Sequence, residues 1–311
     1  MNVFVAGGAG FVGSRIARAF LDAGHGVVIL DGLLARTGAS RTHVAELAGA
    51  RFVEVRIEDA AGLGDTISQS DIVVDAMAWT CHRLALHDPD YDLALNLASH
   101  LRLLAAVPKE WPGKIIFLGS RGQYGSPQVS EITEDTPQNP EDVQGIHKVA
   151  AESHFRLASR LKGISVASLR MPAVVGPNQP VSGEDIGLFG GFIRDLIAGR
   201  TVELYGENRR RAVIHVDDVA ETIARLAHAE WSGFAPFNLA GHNVSLADAL
   251  RLLIAEIGAG AMVIAPVPAE IAAIDIGGLP VNEMRITELL GPLPRRDLRA
   301  TLCSAIETFL K

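Results

Sequence analysis

The sequence predicts an α/β fold, in which a doubly wound parallel sheet carries a smaller lobe at its C-terminal end. Two observations support this prediction. Through the first half of the chain, apolar runs of about four to six residues alternate with segments of helical periodicity. Beyond Pro177 this alternation loosens, and glycine and proline crowd into residues 176–191, 258–268 and 277–294. Short apolar runs are typical of strands buried on both faces, and strand–helix–strand repetition implies that these strands run parallel.

The predicted strands are the apolar runs, and the predicted helices are the segments between them. The strands are residues 3–6, 27–30, 52–55, 72–74, 115–118 and 165–169. The helices are residues 12–23, 91–106 and 143–160, with further helical patterns at 216–228, 246–257 and 297–309. Gly24 and Gly26 lie between the first helix and the second strand, where they predict a helix C-cap and a turn. We expect a segment of the second half to return to the main sheet.

Composition narrows the class of protein. The 311 residues include 28 Lys and Arg against 36 Asp and Glu, a net charge of -8 that argues against a nucleic-acid binder. Cys81 and Cys303 are far apart, so we expect neither a disulfide scaffold nor a metal site. No apolar stretch reaches the roughly 18–20 residues of a membrane span, and a strand beginning near Met1 leaves no room for a signal peptide. We therefore expect a cytoplasmic protein with a small-molecule substrate and no membrane partner.

A glycine-rich loop joins the first predicted strand to the first predicted helix, and it reads GGAGFVG from Gly7 to Gly13. A pyrophosphate can approach a helix N-terminus only where no Cβ blocks the backbone, and the free N–H groups there attract anions. Gly7 would permit the tight turn, Gly10 the close approach and Gly13 the packing of helix on strand. Phe11 and Val12 begin the helix, so we expect them to contact the cofactor as well.

Asp31 ends the second strand at the distance from the loop that dinucleotide-binding units show. A carboxylate there accepts hydrogen bonds from the adenosine ribose hydroxyls and repels a 2′-phosphate. Arg36 and Arg41 lie close by in sequence and could offset that charge, so the sequence favours NAD(H) and leaves NADP(H) open. These features predict a Rossmann-type dinucleotide-binding domain at residues 1–175 and a mainly substrate-binding lobe at residues 176–311.

With these motifs the chain resembles an extended short-chain dehydrogenase/reductase of the NAD-dependent epimerase/dehydratase type. The resemblance runs nearly end to end. Its other motifs are Asp75-Ala76-Met77-Ala78, Asn96, Ser120 with Tyr124-Gly125, Lys148, Leu169-Arg170, Gly176-Pro177, and Arg211 with His215-Val216-Asp217-Asp218. The resemblance implies that Ile57 and Ala78 contact the cofactor and that Lys148 binds the nicotinamide ribose. Members of this family are often dimers, so it also leaves a homodimer open.

The resemblance further implies a catalytic set of Ser or Thr, Tyr and Lys, with the Tyr four residues before the Lys. Ser120 and Lys148 match this pattern, but the residue at the Tyr position is Gln144. No other lysine of the chain has a tyrosine four residues before it. A glutamine amide donates hydrogen bonds but cannot move a proton near pH 7. The candidate catalytic residues are therefore Ser120, Gln144 and Lys148, without the usual general acid/base.

Other departures concern the substrate. Arg121 and Gly122 stand where dehydratases of this family have an Asp-Glu pair, which excludes sugar dehydration. Ala173 replaces an Asn that often contacts a sugar nucleotide, whereas Arg211 keeps a position that commonly holds a nucleotide phosphate. Arg211 could equally be one member of a solvated Arg209–Arg211 run. The candidate substrate residues are Trp79, which could stack on a flat substrate, His82, Arg121 and Arg211.

Three functions fit a cofactor loop without the tyrosine. The sequence favours an NAD(P)H-dependent ketoreductase, because donors from Ser120 and Gln144 can stabilise the charge on a ketone oxygen while water or the substrate supplies the proton. An altered catalytic set of this kind resembles those of atypical ketoreductases in secondary-metabolite and antibiotic pathways, some of which act on aromatic polyketides. The alternatives are a nucleotide-sugar epimerase whose acid/base has moved, and a dinucleotide-binding protein without turnover. Replacement acids could be His82, His147 or Cys81, although His147 faces away from Lys148 on the predicted helix.

Overall fold

The computed structural model describes residues 1–310, which form a large parallel sheet, two small sheets and the helices around them. The strands are β1 Asn2–Ala6, β2 Gly26–Asp31, β3 Arg51–Glu54, β4 Ile72–Asp75, β5 Lys114–Ser120, β6 Ser165–Met171, β7 Ala173–Val175, β8 Thr201–Tyr205, β9 Arg210–His215, β10 Phe234–Asn238, β11 His242–Ser245 and β12 Ala261–Ala265. The α-helices are α1 Phe11–Asp22, α2 Arg41–Ala45, α3 Leu63–Ser68, α4 His82–Ala85, α5 Pro89–Leu93, α6 Ser99–Ala106, α7 Val143–Lys162, α8 Gly187–Ile197, α9 Val216–His228, α10 Leu246–Ile257, α11 Ala269–Ala273, α12 Met284–Leu290 and α13 Leu298–Leu310. Short 3₁₀ turns occupy Ile57–Asp59, Arg121–Tyr124 and Glu184–Ile186.

The main sheet has the strand order β10-β6-β5-β4-β1-β2-β3, and every neighbouring pair is parallel. The chain moves outward from β1 to β3 and then returns to the other side of β1 through β4. The loops after β1 and β4 therefore separate at the carboxyl ends of the strands, where open α/β sheets bind their ligands. This topology confirms the predicted doubly wound parallel sheet.

Helices cover both faces of this sheet, which explains why its strands are continuous apolar runs. Val3 and Val5 of β1 pack in one core with Ile16 of α1. Phe4, between them, points to the opposite face and packs in a second core with Leu103 of α6. Because alternate residues of a strand face opposite sides, both sets must be apolar when both sides are covered.

One predicted helix end agrees with the structure, and one predicted helix differs from it. α1 ends where predicted, since Gly24 adopts a φ of 77° and its N–H donates to the Leu21 carbonyl at 2.8 Å. The single helix predicted for residues 91–106 is α5 and α6 joined by a π-helical turn at Ala94–Ala98. Asn96 lies in this turn, and π-helical turns are frequent at functional sites.

The C-terminal lobe has its own core between α8, α10 and α13, with the small sheets β11-β9-β7 and β12-β8 beside it. The sequence did not predict these short strands. Two segments after residue 175 nevertheless return to the main domain: β10 joins the main sheet by pairing with β6, and α9 packs beside α1 in the core on one face of it. Within residues 1–310, no helix combines the length and the apolar character needed to cross a bilayer.

Candidate active site

A cleft of about 430 Å³ opens at the carboxyl ends of β1, β2, β4 and β5 and continues against the C-terminal lobe. It brings together nearly all of the residues that the sequence proposes for the cofactor and the substrate. Those lining it are Gly7, Gly10, Phe11, Val12, Asp31, Ile57, Ala78, His82, Ser120, Arg121, Gln144, Lys148 and Arg211. Trp79 is the exception among the candidate residues.

The glycine loop is shaped as a pyrophosphate cradle requires. Gly7 has a φ of 79°, and a Cβ there would lie 2.9 Å from the backbone of Ala76. A Cβ on Gly13 would lie 2.2 Å from the Gly7 carbonyl oxygen, so no larger residue fits without moving the loop. Gly10 caps α1 without a side chain, which leaves the free N–H groups of the first turn open to an anion. The loop therefore fits a dinucleotide.

Asp31 is buried at the end of β2 and is fixed by two backbone N–H groups. Its carboxylate accepts from Ala9 N at 3.1 Å and from Leu33 N at 2.9 Å. Burial raises the pKa of Asp31 above its ordinary value, while these two hydrogen bonds and nearby His43 oppose the rise. A carboxylate held in this way can still accept from ribose hydroxyls through its remaining lone pairs.

The two arginines after β2 do not offset the charge of Asp31, as the sequence had suggested they could. Arg36 forms ion pairs with Asp88 and with Glu184, whose Oε2 lies 2.7 Å from its Nε. Arg41 pairs with Glu54. Arg56, which lines the cleft beside Gly32, pairs with Glu58 at 3.1 Å. Because all three guanidinium groups are already paired with carboxylates, the site fits NAD(H).

Lys148 of α7 lies behind the cleft in a chain of buried polar groups. Its Nζ donates to the Leu118 carbonyl at 3.1 Å, the Met77 carbonyl at 3.3 Å and Nε2 of His100 at 3.4 Å. His100 Nδ1 in turn donates to Asp75 Oδ2 at 2.7 Å, and both side chains are fully buried. Burial lowers the pKa of Lys148 to about 8, against the opposing charges of Asp75 and Asp92. This row of hydrogen-bonded groups fixes the ammonium group at the cofactor end of the cleft.

His100 is a residue of this site that the sequence motifs do not point out. Its pKa is lowered, chiefly by burial, so the ring is neutral and can accept from Lys148 while it donates to Asp75. A signal was present, because His100 lies four residues after Asn96 and therefore on the same face of a helix.

Ser120 ends β5 and begins the 3₁₀ turn Arg121–Tyr124. Its Oγ accepts from Gly122 N at 3.0 Å, while its own N–H donates to Oε1 of Gln123 at 2.7 Å. This capping box fixes the side chain and leaves its hydroxyl hydrogen to donate into the cleft. Tyr124 cannot replace the missing tyrosine, since it is fully buried and its hydroxyl donates to Oδ1 of Asn238 at 2.7 Å.

Gln144 is only 4% exposed, and its amide does not simply face the substrate, although its place in the catalytic motif predicts that it does. One N–H of Nε2 donates to the Trp79 carbonyl at 2.7 Å. The same carbonyl accepts from Nδ2 of Asn96 at 2.8 Å. Gln144 therefore ties the loop after β4 to the first turn of α7.

Trp79 corrects a prediction, because its side chain does not line the cleft and cannot stack on a substrate. The indole is fully buried and meets the ring of Tyr91 edge-on, with centroids 4.9 Å apart. Asn96 holds the backbone of Trp79 through both its N–H and its carbonyl, which turns the side chain inward against Ala85 and Leu95.

His82 lies in the cleft with a buried carboxylate behind it. Its Nδ1 donates to Oδ2 of Asp142, the residue that caps α7 and also accepts from Gly145 N at 2.6 Å. Burial would raise the pKa of Asp142, but the hydrogen bonds from His82 and Gly145 outweigh it and hold the pKa below its ordinary value. The ring is 42% exposed, and Nε2 has no hydrogen-bond partner among residues 1–310. A histidine oriented by a carboxylate is a common form of general acid/base.

The other two replacement acids named by the sequence do not line the cleft. His147 faces Asp92, with 2.6 Å between Nδ1 and Oδ1, and thus points away from Lys148 as expected. The thiol of Cys81 has its pKa raised, chiefly by burial, which disfavours the reactive thiolate. Asp142 was missed, although a residue directly before a predicted helix that begins at 143 is a candidate N-cap.

The opposite end of the cleft is rich in arginine. Arg121 is 6% exposed and donates through Nη2 to the Ile276 carbonyl at 3.1 Å, whereas its Nε and Nη1 are buried and have no partner among the described residues. Arg211 does not belong to a solvated run, because it pairs with Asp275 at 2.5 Å and is mostly buried. Arg209 pairs with the other oxygen of Asp275. Burial, with a contribution from nearby Arg211, lowers the pKa of Arg121 to about 10, while Asp275 opposes this.

Comparison with known proteins agrees with this geometry. The family model "NAD dependent epimerase/dehydratase family" matches residues 3–240. UDP-glucose 4-epimerase of Mycolicibacterium smegmatis is 29% identical over 99% of this chain and 98% of its own length. A putative UDP-glucose 4-epimerase of Methanocaldococcus jannaschii is 28% identical over 82% of each chain.

Solved structures extend the likeness to the whole fold. UDP-glucose 4-epimerase from Thermotoga maritima, crystallised with UDP-glucose, is 25% identical and superposes with a TM-score of 0.87 over 100% of this chain and 99% of its own. The UDP-glucose 4-epimerase of Thermus thermophilus, in complex with NAD, is also 25% identical, with a TM-score of 0.85 and the same coverage. The chain therefore belongs to the NAD-dependent epimerase/dehydratase family, and it is an NAD-dependent enzyme with the extended short-chain dehydrogenase/reductase fold.

Proposed function

We propose that this protein is an NAD-dependent nucleotide-sugar epimerase in which His82, oriented by Asp142, moves the proton that a tyrosine would otherwise move. The observation that carries the proposal is the position of His82, which lines the same cleft as Ser120 and Lys148. The cleft thus holds a proton carrier without the tyrosine. The relatives named above, which are UDP-glucose 4-epimerases, support the substrate class.

Each residue of the cleft has a distinct role in this proposal. The chemistry that NAD supplies when bound is the acceptance of a hydride from a substrate carbon and its return. Ser120 donates a hydrogen bond to the reacting oxygen, and the ammonium of Lys148 exchanges one of its long protein contacts for the nicotinamide ribose. Gly7, Gly10 and the first turn of α1 hold the pyrophosphate.

His82 takes up and returns the proton that the reaction moves. Its free Nε2 takes the proton of the sugar hydroxyl as the carbon loses its hydride, and it gives the proton back to the ketone oxygen when the hydride returns. The hydroxyl is thus oxidised and then reduced again, without net redox change. With NAD held in this cleft, return of the hydride to the opposite face of the carbonyl would invert the carbon. Asp142 stabilises the imidazolium that exists between the two steps.

Reduction of a ketone is the second candidate, and the replacement of the tyrosine by Gln144 favours it. A site that lacks the tyrosine needs only one proton delivery for reduction, whereas epimerisation needs the proton to be removed and returned. The named relatives are not ketoreductases, however, and a polyketide substrate and NADP(H) have no support beyond the sequence analogy. A binding protein without turnover is the weakest alternative, because it has little need of Ser120 or of the buried chain behind Lys148.

The test replaces the proposed proton carrier. His82→Asn keeps a polar side chain but cannot exchange a proton near pH 7, so we expect the epimerisation rate with UDP-sugars to fall by about 10²–10⁴-fold. NAD binding, followed by the rise in melting temperature, should not change. The control is His154→Asn, since His154 is an exposed histidine on α7. Turnover of His82→Asn at the wild-type rate would contradict the proposal.

We further propose that residues 1–175 bind the dinucleotide, that residues 176–311 mainly select the substrate, and that the protein acts in the cytoplasm as a homodimer. The homodimer is supported by an exposed apolar stripe on α7. Ile146, Leu157 and Leu161 are exposed and lie within one face of that helix. Sedimentation analysis measures the assembly state directly.

A further inference from the structure

The arginine that directly follows Ser120 has no counter-ion of its own among the described residues. Arg121 is buried, and two of its three guanidinium nitrogens have no hydrogen-bond partner within residues 1–310. The third is anchored on the Ile276 carbonyl, which prevents the side chain from swinging out to solvent. Buried cations are normally paired, because an uncompensated charge away from water is costly. An arrangement of this kind in a ligand cleft indicates that the ligand supplies the missing charge.

The neighbouring side chains do not supply the negative charge that Arg121 lacks. Arg209 and Arg211 share one carboxylate, Asp275, whose two oxygens are each 2.5 Å from a guanidinium nitrogen. Arg121 lies near enough to Arg211 and Asp275 to be influenced by both charges, so three cations face a single carboxylate. Arg121 and Arg211 line the cleft and Arg209 does not, but the three arginines with Asp275 form a group of side chains with two positive charges in excess.

We propose that Arg121 binds an anionic substituent on the sugar itself, so that the substrate is a nucleotide-linked uronic acid or a similarly carboxylated sugar. This inference rests on the proposed function, because it takes Ser120 to lie beside the reacting oxygen. Arg121 is the next residue in the chain, at the carboxyl end of β5 and at the start of the turn that fixes Ser120. Since both residues also line the same cleft, the proposal places the ligand of Arg121 on the reacting ring.

A diphosphate is the other source of negative charge in such a substrate, and the position of Arg211 accounts for it. Arg211 of β9 lines the same end of the cleft and shares its carboxylate, Asp275, with Arg209, so this pair of arginines keeps positive charge for a nucleotide phosphate. A neutral hydroxymethyl group beside Arg121 would leave the guanidinium uncompensated, whereas a carboxylate would satisfy its free N–H groups with charge-assisted hydrogen bonds. The structure therefore favours a carboxylate at this position.

The test compares three ligands on the NAD-loaded protein by titration calorimetry: UDP, UDP-glucose and UDP-glucuronate. We expect the wild type to bind UDP-glucuronate more tightly than UDP-glucose. Arg121→Met, which keeps much of the side-chain volume without the charge, should weaken UDP-glucuronate by about 10- to 100-fold, the range for hydrogen bonds to a charged group. Its affinity for UDP and UDP-glucose should stay within about twofold of the wild type. Arg251→Met, at an exposed arginine paired with Asp248, is the control.

Two results would overturn the inference. An equal loss of affinity for UDP and UDP-glucuronate in Arg121→Met would assign the arginine to the diphosphate. Equal wild-type affinity for UDP-glucose and UDP-glucuronate would exclude a subsite for the sugar carboxylate. Failure of the wild type to bind even UDP would instead contradict the proposed function. In that event free D-glucuronate, against glucose at matched ionic strength, tests the subsite alone. It should raise the melting temperature of the wild type but not of Arg121→Met, and the absence of that rise would exclude the subsite.

Discussion

The two ends of the cleft differ in how far the protein has already satisfied their polar groups. At the cofactor end, Asp31 accepts from two backbone N–H groups, and Lys148 donates to three acceptors. At the substrate end, Arg121 has two buried nitrogens without a partner among the described residues, and His82 has a free ring nitrogen. The cofactor end is a preorganised scaffold, whereas the substrate end holds unmatched charge and proton-exchange capacity that only a ligand can use.

This difference explains why the missing tyrosine has not left an inert site. The position of the tyrosine is now part of the scaffold, because Gln144 ties the loop after β4 to α7. The same loop leads into His82, whose carboxylate partner caps α7 two residues before Gln144. Gln144 therefore holds the segment that leads into the proposed proton carrier.

The largest expected effect is at the cofactor end, where the backbone has no room to adjust. In Gly13→Ala the new Cβ would lie 2.2 Å from the Gly7 carbonyl oxygen, so the loop must move. We expect NAD binding to become unmeasurable and the free energy of unfolding to fall by about 1–3 kcal/mol. Fluorescence titration and denaturant unfolding measure these two effects.

The matched control for this change is Gly191→Ala, because Gly191 lies in α8 with nothing within 4 Å of its added Cβ. It should leave NAD binding unchanged and, as a helical Gly→Ala replacement, slightly stabilise the protein. If Gly13→Ala bound NAD as the wild type does, the cradle would not be as rigid as the comparison requires.

A second prediction uses the buried ammonium of Lys148. Its pKa is about 8 in the folded protein and near the ordinary 10.5 when unfolded, so between these values the unfolded chain binds more protons. Stability therefore rises with pH across this window. Relative to Lys148→Met, the wild type should gain on the order of 3 kcal/mol in unfolding free energy between pH 8 and 10.5.

Urea unfolding of the two proteins across that pH range measures the difference, and other titrating groups cancel because they are common to both. A difference that stays constant with pH would mean that Lys148 is not held in the low-dielectric environment of the Asp75–His100 chain. The scaffold would then be looser at its centre than the distances indicate.

The same contrast decides how much could be predicted from the sequence. The glycine loop and Asp31 were recognisable because the first is contiguous and the second follows one strand later, so local pattern is enough. The main sheet was predictable for a similar reason, since two covered faces require continuous apolar strands. The short strands of the C-terminal lobe, such as β8 and β12, lack such runs and are defined only by their pairing.

The substrate end was less predictable because its partners come from distant parts of the chain. Arg121 and His82 were singled out, but the absence of a counter-ion for the first within residues 1–310 and the Asp142 partner of the second are properties of the assembled fold. Trp79 was misassigned for the same reason. Aromatic character gives no indication that the two hydrogen bonds between Asn96 and the Trp79 backbone turn the indole into the core.

The smallest effect belongs to Gln144, which we assign as a positioning residue. Gln144→Leu removes the hydrogen bond to the Trp79 carbonyl, which Asn96 continues to satisfy, so the free energy of unfolding should fall by only about 0.5–1.5 kcal/mol. The rate should fall by about tenfold with little change in substrate affinity, because the loop that leads into His82 is loosened. Gln128→Leu, at an exposed glutamine, is the control.

A double mutant separates positioning from direct action. If Gln144 acts only by holding the loop of His82, then adding Gln144→Leu to His82→Asn should cause little further loss of rate, since the group being positioned is already gone. If the two losses instead multiply, Gln144 donates to the reacting oxygen in its own right. The amide would then belong to the reacting residues at the substrate end of the cleft. It would not belong to the scaffold, where its hydrogen bond to the Trp79 carbonyl places it.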